Sequence, residues 1–299
     1  MKSKQCICLL LPFVLLLVFV ACNKADNAKA EPENTSENAN TFTTSSTGQC
    51  PNAPNYGDSI IYLQTQSNGA DHKVQPLNNT GIQGTYLSWP EGLDINKNNG
   101  TINLAKSETG VRYKIGFVKK GTQDTCISQL ILAGMTYMDS IYVLSQHDTL
   151  AMPIFNADPN APSICDVSDD TDYPDSLNNG GNNKCAFDDD PSESANGKKL
   201  RVRSKSGVIN LKKSLRDGLF GPNVKNGDSK RIKFSYRLND GSKKAKQQIT
   251  VEMIYYDKVS SIPASLQQEV RTKRQNMFEY RLVAEKPRPP FLVIAGLSY

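Results

Sequence analysis

The chain has 299 residues, a mean hydropathy of -0.48, 8% aromatic and 22% charged residues. These values exclude a multi-span membrane protein and a wholly disordered chain, and leave room for two ordinary domains. The net charge of +5 hides two opposite parts: residues 1–196 carry 12 basic and 22 acidic side chains, residues 197–299 carry 23 basic and 8 acidic.

Lys2 and Lys4 precede an apolar run from Cys6 to Val20, followed by Ala21 and Cys22. A membrane-spanning helix needs about 20 apolar residues, so residues 1–21 read as an export signal that is not part of the fold. The segment resembles a bacterial lipoprotein signal, in which a small residue precedes the Cys that is lipidated. That resemblance implies lipidation of Cys22 and a membrane anchor; a plain secretory signal cleaved near Ala21 is the alternative. Residues 22–52 are small, polar and acidic, unable to bury enough apolar area to offset their ordering entropy, and read as a flexible tether.

Four cysteines remain beyond this leader: Cys50, Cys126, Cys165 and Cys185. An even number in an exported chain suggests disulfides, and four Cys allow three pairings. Cys165–Cys185 is favoured because both lie in one polar insertion, which leaves Cys50–Cys126; free thiols are the competing reading.

An internal repeat organises the rest. Leu93 to Gly110 matches Leu200 to Asp217, with Gly100 and Gly207, Ile102-Asn103-Leu104 and Ile209-Asn210-Leu211, and Lys106-Ser107 and Lys213-Ser214 standing 107 residues apart. Asp58-Ser59-Ile60 matches Asp139-Ser140-Ile141. Met135-Thr136-Tyr137-Met138-Asp139 is paired with Met253-Ile254-Tyr255-Tyr256-Asp257. Each copy predicts short strands: Ile60 to Leu63 and Ile141 to Leu144, Leu93 to Asn96 and Leu200 to Arg203, Thr101 to Leu104 and Val208 to Leu211. Tyr113 to Phe117 and Ile232 to Tyr236 follow, and then Ile127 to Leu132 and Gln248 to Tyr256. Short strands separated by turns point to an all-β chain of antiparallel sandwiches.

Pro90-Glu91-Gly92-Leu93-Asp94-Ile95, Gly100-Thr101-Ile102 and Gly110-Val111-Arg112-Tyr113-Lys114-Ile115 resemble the Ig-like and cadherin-like modules of Bacteroidota surface proteins. The resemblance implies two tandem β-sandwiches, over residues 53–138 and 139–257. The second carries an acidic insertion at 156–197. Residues 258–299 predict a helix, capped at Ser261 with Pro263 in its first turn, and a closing strand from Phe291 to Leu297.

The chemistry-bearing candidates are few. Asp166, Asp169, Asp170, Asp172 and Asp175, with Asp188, Asp189 and Asp190 nearby, could supply oxygens to calcium, against the alternative of a solvated acidic loop; no other cofactor is expected. Lys198, Lys199, Arg201, Arg203 and Lys205 alternate along an expected strand and could bind a polyanion, or balance the acidic insertion. Asp58-Ser59-Ile60, Asp139-Ser140-Ile141, Asp148-Thr149-Leu150 and Asp175-Ser176-Leu177 look like the O-glycosylation acceptor of Bacteroidota. Trp89 is either a core residue at a strand end or a sugar-stacking platform. His72 and His147 lie in polar, loop-like stretches, and no nucleophile, zinc or phosphate-loop motif is present. The expectation is a non-enzymatic lipoprotein of the outer membrane or cell surface, serving adhesion, scaffolding or partner binding. Glycan capture is the alternative, a carboxylate-based hydrolase the second, and nucleic acid is not an expected partner.

Overall fold

The computed structural model describes residues 50–165, 185–278 and 289–296. The chain is all-β, with a short C-terminal helix and a final strand. In the first copy, β1 (Ile60–Ile61), β2 (Lys73–Val74), β3 (Gly84–Trp89) and β4 (Ile102–Asn103) precede the long strands β5 (Val111–Lys119) and β6 (Thr125–Leu132). A four-stranded sheet runs β1-β6-β5-β3, and the β2–β4 pair forms a second layer over it. Side chains alternate across a strand, so one face of the sheet points inward. Tyr86, Tyr113, Ile115, Phe117 and Leu130 on that face enclose Ile102 and Leu104 from the second layer.

The second copy repeats this plan. After β7 (Met135–Tyr137) come β8 (Ser140–Val143), β9 (Leu150–Ala151), β10 (Pro153–Phe155), β11 (Ala186–Phe187) and β12 (Ile209–Asn210). Helix α1 (Leu211–Arg216) leads to β13 (Ser229–Arg237) and β14 (Gln247–Tyr256), then α2 (Ala264–Phe278) and β15 (Phe291–Ala295). Its sheet runs β11-β13-β14-β15-β8, with the β9–β12 pair as second layer. Both faces are covered. Ile232, Phe234, Val251, Met253, Leu292 and Ile294 pack inward, while Ile254, Tyr256, Phe291 and Val293 meet Ile262, Leu266 and Val270 at the helix. This is why β15 reads as an unbroken apolar run, Phe-Leu-Val-Ile-Ala, whereas β5 alternates.

The repeated turn is reproduced bond for bond. Asn96 N–H donates to Thr101 O and Arg203 N–H to Val208 O; Gly100 and Gly207 donate to Asn96 O and Arg203 O. Asp94 and Arg201 N–H donate to the hydroxyls of Ser107 and Ser214, at 3.0 and 2.8 Å. Gly100 and Gly207 share a φ of 72°, in the left-handed region. A Cβ there would lie 2.6 Å from a ring carbon of Tyr86 or of Phe187. Only glycine meets both demands.

Three expectations need correction. Leu93–Asn96 and Leu200–Arg203 are not strands but single bridges, Ile95 to Ile102 and Val202 to Ile209; the Ser107 and Ser214 hydroxyls, rather than a neighbouring strand, take the next N–H groups. The segment after Ile209-Asn210 is helical in the second copy: the Asn210 side chain accepts from Lys213 N–H at 2.8 Å and caps α1. Its counterpart Asn103 donates instead to Asp71, at 2.8 Å, and only a 3-10 turn follows. Finally, the match of Met135 with Met253 is out of register. Val111 pairs with Leu132 and Lys230 with Met253, so Leu132 is the structural counterpart of Met253. Met135–Asp139 opens the second copy, where Tyr137 stands where Tyr56 stands in the first: their hydroxyls donate to Gly207 O and Gly100 O.

The copies are joined through a buried polar knot. The Tyr236 hydroxyl donates to Gln247 Oε1 at 3.1 Å and accepts from Met135 N–H at 3.2 Å, with Thr109 Oγ1 2.8 Å away. Gln64 of the first copy also donates to Gly241 O of the second, at 2.9 Å.

Candidate functional site

The N-terminal segment helps to build a concavity in the first copy. Cys50 and Cys126 are disulfide-bonded, Cα atoms 5.5 Å apart, which ties the chain start to β6. The held segment then holds a loop: Asn78 Nδ2 donates to Ala53 O at 2.8 Å and Asn79 Nδ2 to Asn52 O at 2.9 Å, while Asn78 Oδ1 accepts from Asn55 N–H at 3.0 Å. Asn79 adopts a left-handed φ of 64°. This loop and the Asn96–Gly100 turn form the walls of a cleft of about 380 Å³, lined by Gln75, Asn78, Asn79, Gln83, Asn98 and Asn99. A second hollow of about 410 Å³ shares Gln83 and Asn98 and continues to Lys119, Lys120 and Thr122. Lys120 Nζ donates to Gln83 Oε1 at 3.1 Å at the junction. Tyr86 forms part of the wall, and burial raises its phenol pKa while Asn79 hydrogen-bonds it. Leu77, 70% exposed, stands in the same loop.

Amide and hydroxyl side chains are the main polar groups of the lining, beside the apolar Pro76, Ile82 and Val118 and the cations Lys119 and Lys120. An amide side chain offers donor and acceptor groups side by side, and so does a hydroxyl. Such a cleft therefore matches a ligand rich in hydroxyls. In the sequence Asn98-Asn99 before Gly100 reads only as a turn; the signal for the cleft is the pair of amide-rich stretches, Gln75 to Gln83 and Asn96 to Asn99, flanking one strand.

The described acidic candidates are engaged by backbone groups and by cations outside the basic set. Asp188 accepts from the backbone N–H groups of Ala195 and Asn196, at 2.6 and 2.9 Å. Asp189 pairs with Arg237 at 2.7 Å and takes the Ser235 hydroxyl at 2.6 Å. Asp190 pairs with Lys246; the hydrogen bonds of Lys246 and Ser192 hold its carboxyl well below the usual range. Glu193 pairs with Lys233 at 2.8 Å. In the basic set, Arg201 pairs with Asp217, Lys205 is 4% exposed, and Lys198 and Lys199 are exposed. Arg203 is half-buried and, like Lys205, has an interaction partner. The cations thus do not form one free face. Asp166, Asp169, Asp170, Asp172 and Asp175 lie outside the described residues, as do Cys22 and the leader. Among the described residues no group of three or more His, Cys, Asp or Glu stands close enough to hold a metal ion, and no helix is long and apolar enough to cross a membrane.

Cys165 and Cys185 are disulfide-bonded, Cα atoms 5.4 Å apart. Trp89 is half-buried and lies on the face of the first sheet opposite the core, its ring 3.0 Å from where a Cβ on Gly116 would stand. His72 Nδ1 accepts from Gln64 N–H at 3.1 Å, and burial lowers its pKa. His147 is exposed, at a left-handed φ of 66°. Of the Asp-Ser/Thr triplets, Ser59 is exposed, Ser140 and Thr149 half-buried, and Asp175-Ser176-Leu177 outside the described residues.

No family model and no curated protein matches the chain. It is similar to the solved structure of human protocadherin-24 EC1-2, with TM-score 0.20 and 8% identity over 65% of this chain and 92% of that one. It is also similar to a SusE-like surface located polysaccharide binding protein from the Bacteroides thetaiotaomicron heparin utilisation locus, with TM-score 0.21 and 8% identity over 65% of this chain and 32% of that one. At such scores the likeness says nothing about ligand.

Proposed function

We propose that the chain is an exported, lipid-anchored, non-enzymatic binding protein of the cell surface whose ligand is an oligosaccharide. The carrying observation is the amide-rich cleft between the Gln75–Gln83 loop and the Asn96–Gly100 turn, next to a second hollow that shares Gln83 and Asn98, with its outer segment held by the Cys50–Cys126 bridge. A protein partner would favour a flatter, more apolar contact with aromatic anchors; the amide lining suits sugar hydroxyls better. The clustered acids Asp188, Asp189 and Asp190 are spent on backbone groups, Arg237 and Lys246, which argues against their use as a hydrolytic pair. The signal and Cys22 support export and anchoring.

Isothermal titration of the full chain with a panel of neutral and acidic oligosaccharides tests the ligand. The expected result is binding to at least one, weakened about tenfold by Asn98→Ala with unchanged thermal stability. Absence of binding to every glycan at millimolar concentration overturns it. Cys22→Ala is expected to release the protein from membranes; a variant that stays bound overturns the anchor.

A further inference from the structure

The two copies differ at one junction. In the first, β1 and β6 pair directly and in parallel, Ile60 opposite Ile131. In the second, the equivalent strands β8 and β14 are separated by β15, which pairs in parallel with both. The C-terminal strand is therefore an addition to a frame that, in the first copy, closes without it.

The added strand buries a carboxylate. Asp58, just before β1, is exposed; its counterpart Asp139, just before β8, is 0% exposed. Asp139 Oδ1 accepts the N–H of Phe291, the first residue of β15, at 2.8 Å. Its Oδ2 is buried with no hydrogen-bond partner among the described residues. No cation lies within ion-pair distance of it among the described residues. Lys273 and Glu269 of α2 act on it from farther away with opposite signs, and Tyr142 of β8 also feels its charge, beside Asp148 and Arg274. A buried carboxylate without a paired charge is costly when ionised and much less so when protonated.

We propose that α2 and β15 form a pH-operated closure of the second sheet, seated when Asp139 carries its proton and loosened when it is ionised. Protonation removes the unpaired buried charge, and Oδ1 keeps its bond from Phe291. Ionisation leaves a desolvated charge that water can reach only when β15 lifts from β8. Burial pushes the Asp139 pKa up to about 7, against 3.8 for the free group. The folded value lies above the unfolded one, so the stabilisation is fully present below the lower value and is lost as pH rises through the higher. The loss therefore runs over the interval from about pH 4 and is complete near pH 7.

Hydrogen exchange of the full chain, corrected for intrinsic rates and followed between pH 5 and pH 8, tests this. The expected result is that protection of the Leu292–Ala295 amides falls by up to about tenfold per pH unit toward pH 7, while the β5 and β6 amides hold theirs. Asp139→Asn keeps an acceptor for Phe291 and should flatten the dependence. Equal protection of β15 across the range overturns the proposal, and so does an unchanged pH dependence in Asp139→Asn. Should the variant fail to fold, titration of the wild-type Asp139 carboxyl by nuclear magnetic resonance decides: a midpoint above about 6 supports the proposal, and any lower one overturns it.

Discussion

The two copies are built on one turn and one pair of long strands, yet they close differently. The first copy has a single sheet face to bury, and its two-residue β1 suffices at the edge. The second gains β15 and α2, and both faces of its sheet are covered. The difference teaches that this frame tolerates a strand between its first and last strands, where the parallel ladder in the first copy pairs only Ile60 and Ile61 with Ile131 and Leu132. The features also divide: the first copy carries the amide-rich cleft, the second the charge network and the added C-terminal helix and strand.

The disulfides sharpen that division most. Removing Cys50–Cys126, which closes a separation of 76 residues, costs roughly 4 kcal/mol, and removing Cys165–Cys185, at 20 residues, roughly 3 kcal/mol. Urea unfolding of the paired Cys→Ala variants should show that order. Glycan binding should fall only with the first, since that bridge holds the segment bonded to Asn78 and Asn79. Gly100→Ala and Gly207→Ala come next. Each places a Cβ against an aromatic ring at a left-handed φ and should cost about 2–3 kcal/mol. Near-equal losses support one turn unit used twice; a silent Gly207→Ala breaks the equivalence.

Smaller effects separate the copies at the residue after Ile102 and Ile209. Asn210→Ala removes the cap of α1 and should cost about 1 kcal/mol, with a loss of helical signal in circular dichroism. Asn103→Ala, where no helix follows, should leave that signal unchanged. The smallest expected effect is at Lys233, paired with Glu193 but 45% exposed. Lys233→Ala should cost a few tenths of a kcal/mol, less in high salt.

Much of the frame was legible because it is local. The match between Leu93–Gly110 and Leu200–Asp217 predicted a shared turn, and the left-handed glycines and Ser hydroxyl bonds are what that match encodes. The closing strand at Phe291 was legible from its apolar run, and α2 from Pro263 at its start. The out-of-register match of Met135 with Met253 shows the limit: similar residue types recur at strand ends, and only the ladder says which strand they end. The cleft escaped for a related reason. Asn78 and Asn98 are distant in sequence, and each alone reads as a turn residue.

The sequence by itself determined the all-β character, the repeated turn, the C-terminal helix and strand, and the number of cysteines left for disulfides. These follow from periodicity, turn chemistry and composition, which act over a few residues. Tertiary structure alone decided that β15 lies between β8 and β14, that Asp139 is buried while Asp58 is not, and that the acids at 188–193 neutralise cations of β13 and the segment just before β14. Such outcomes depend on which distant backbone edges and charges meet, and burial gives a side chain an environment that its sequence neighbours do not encode.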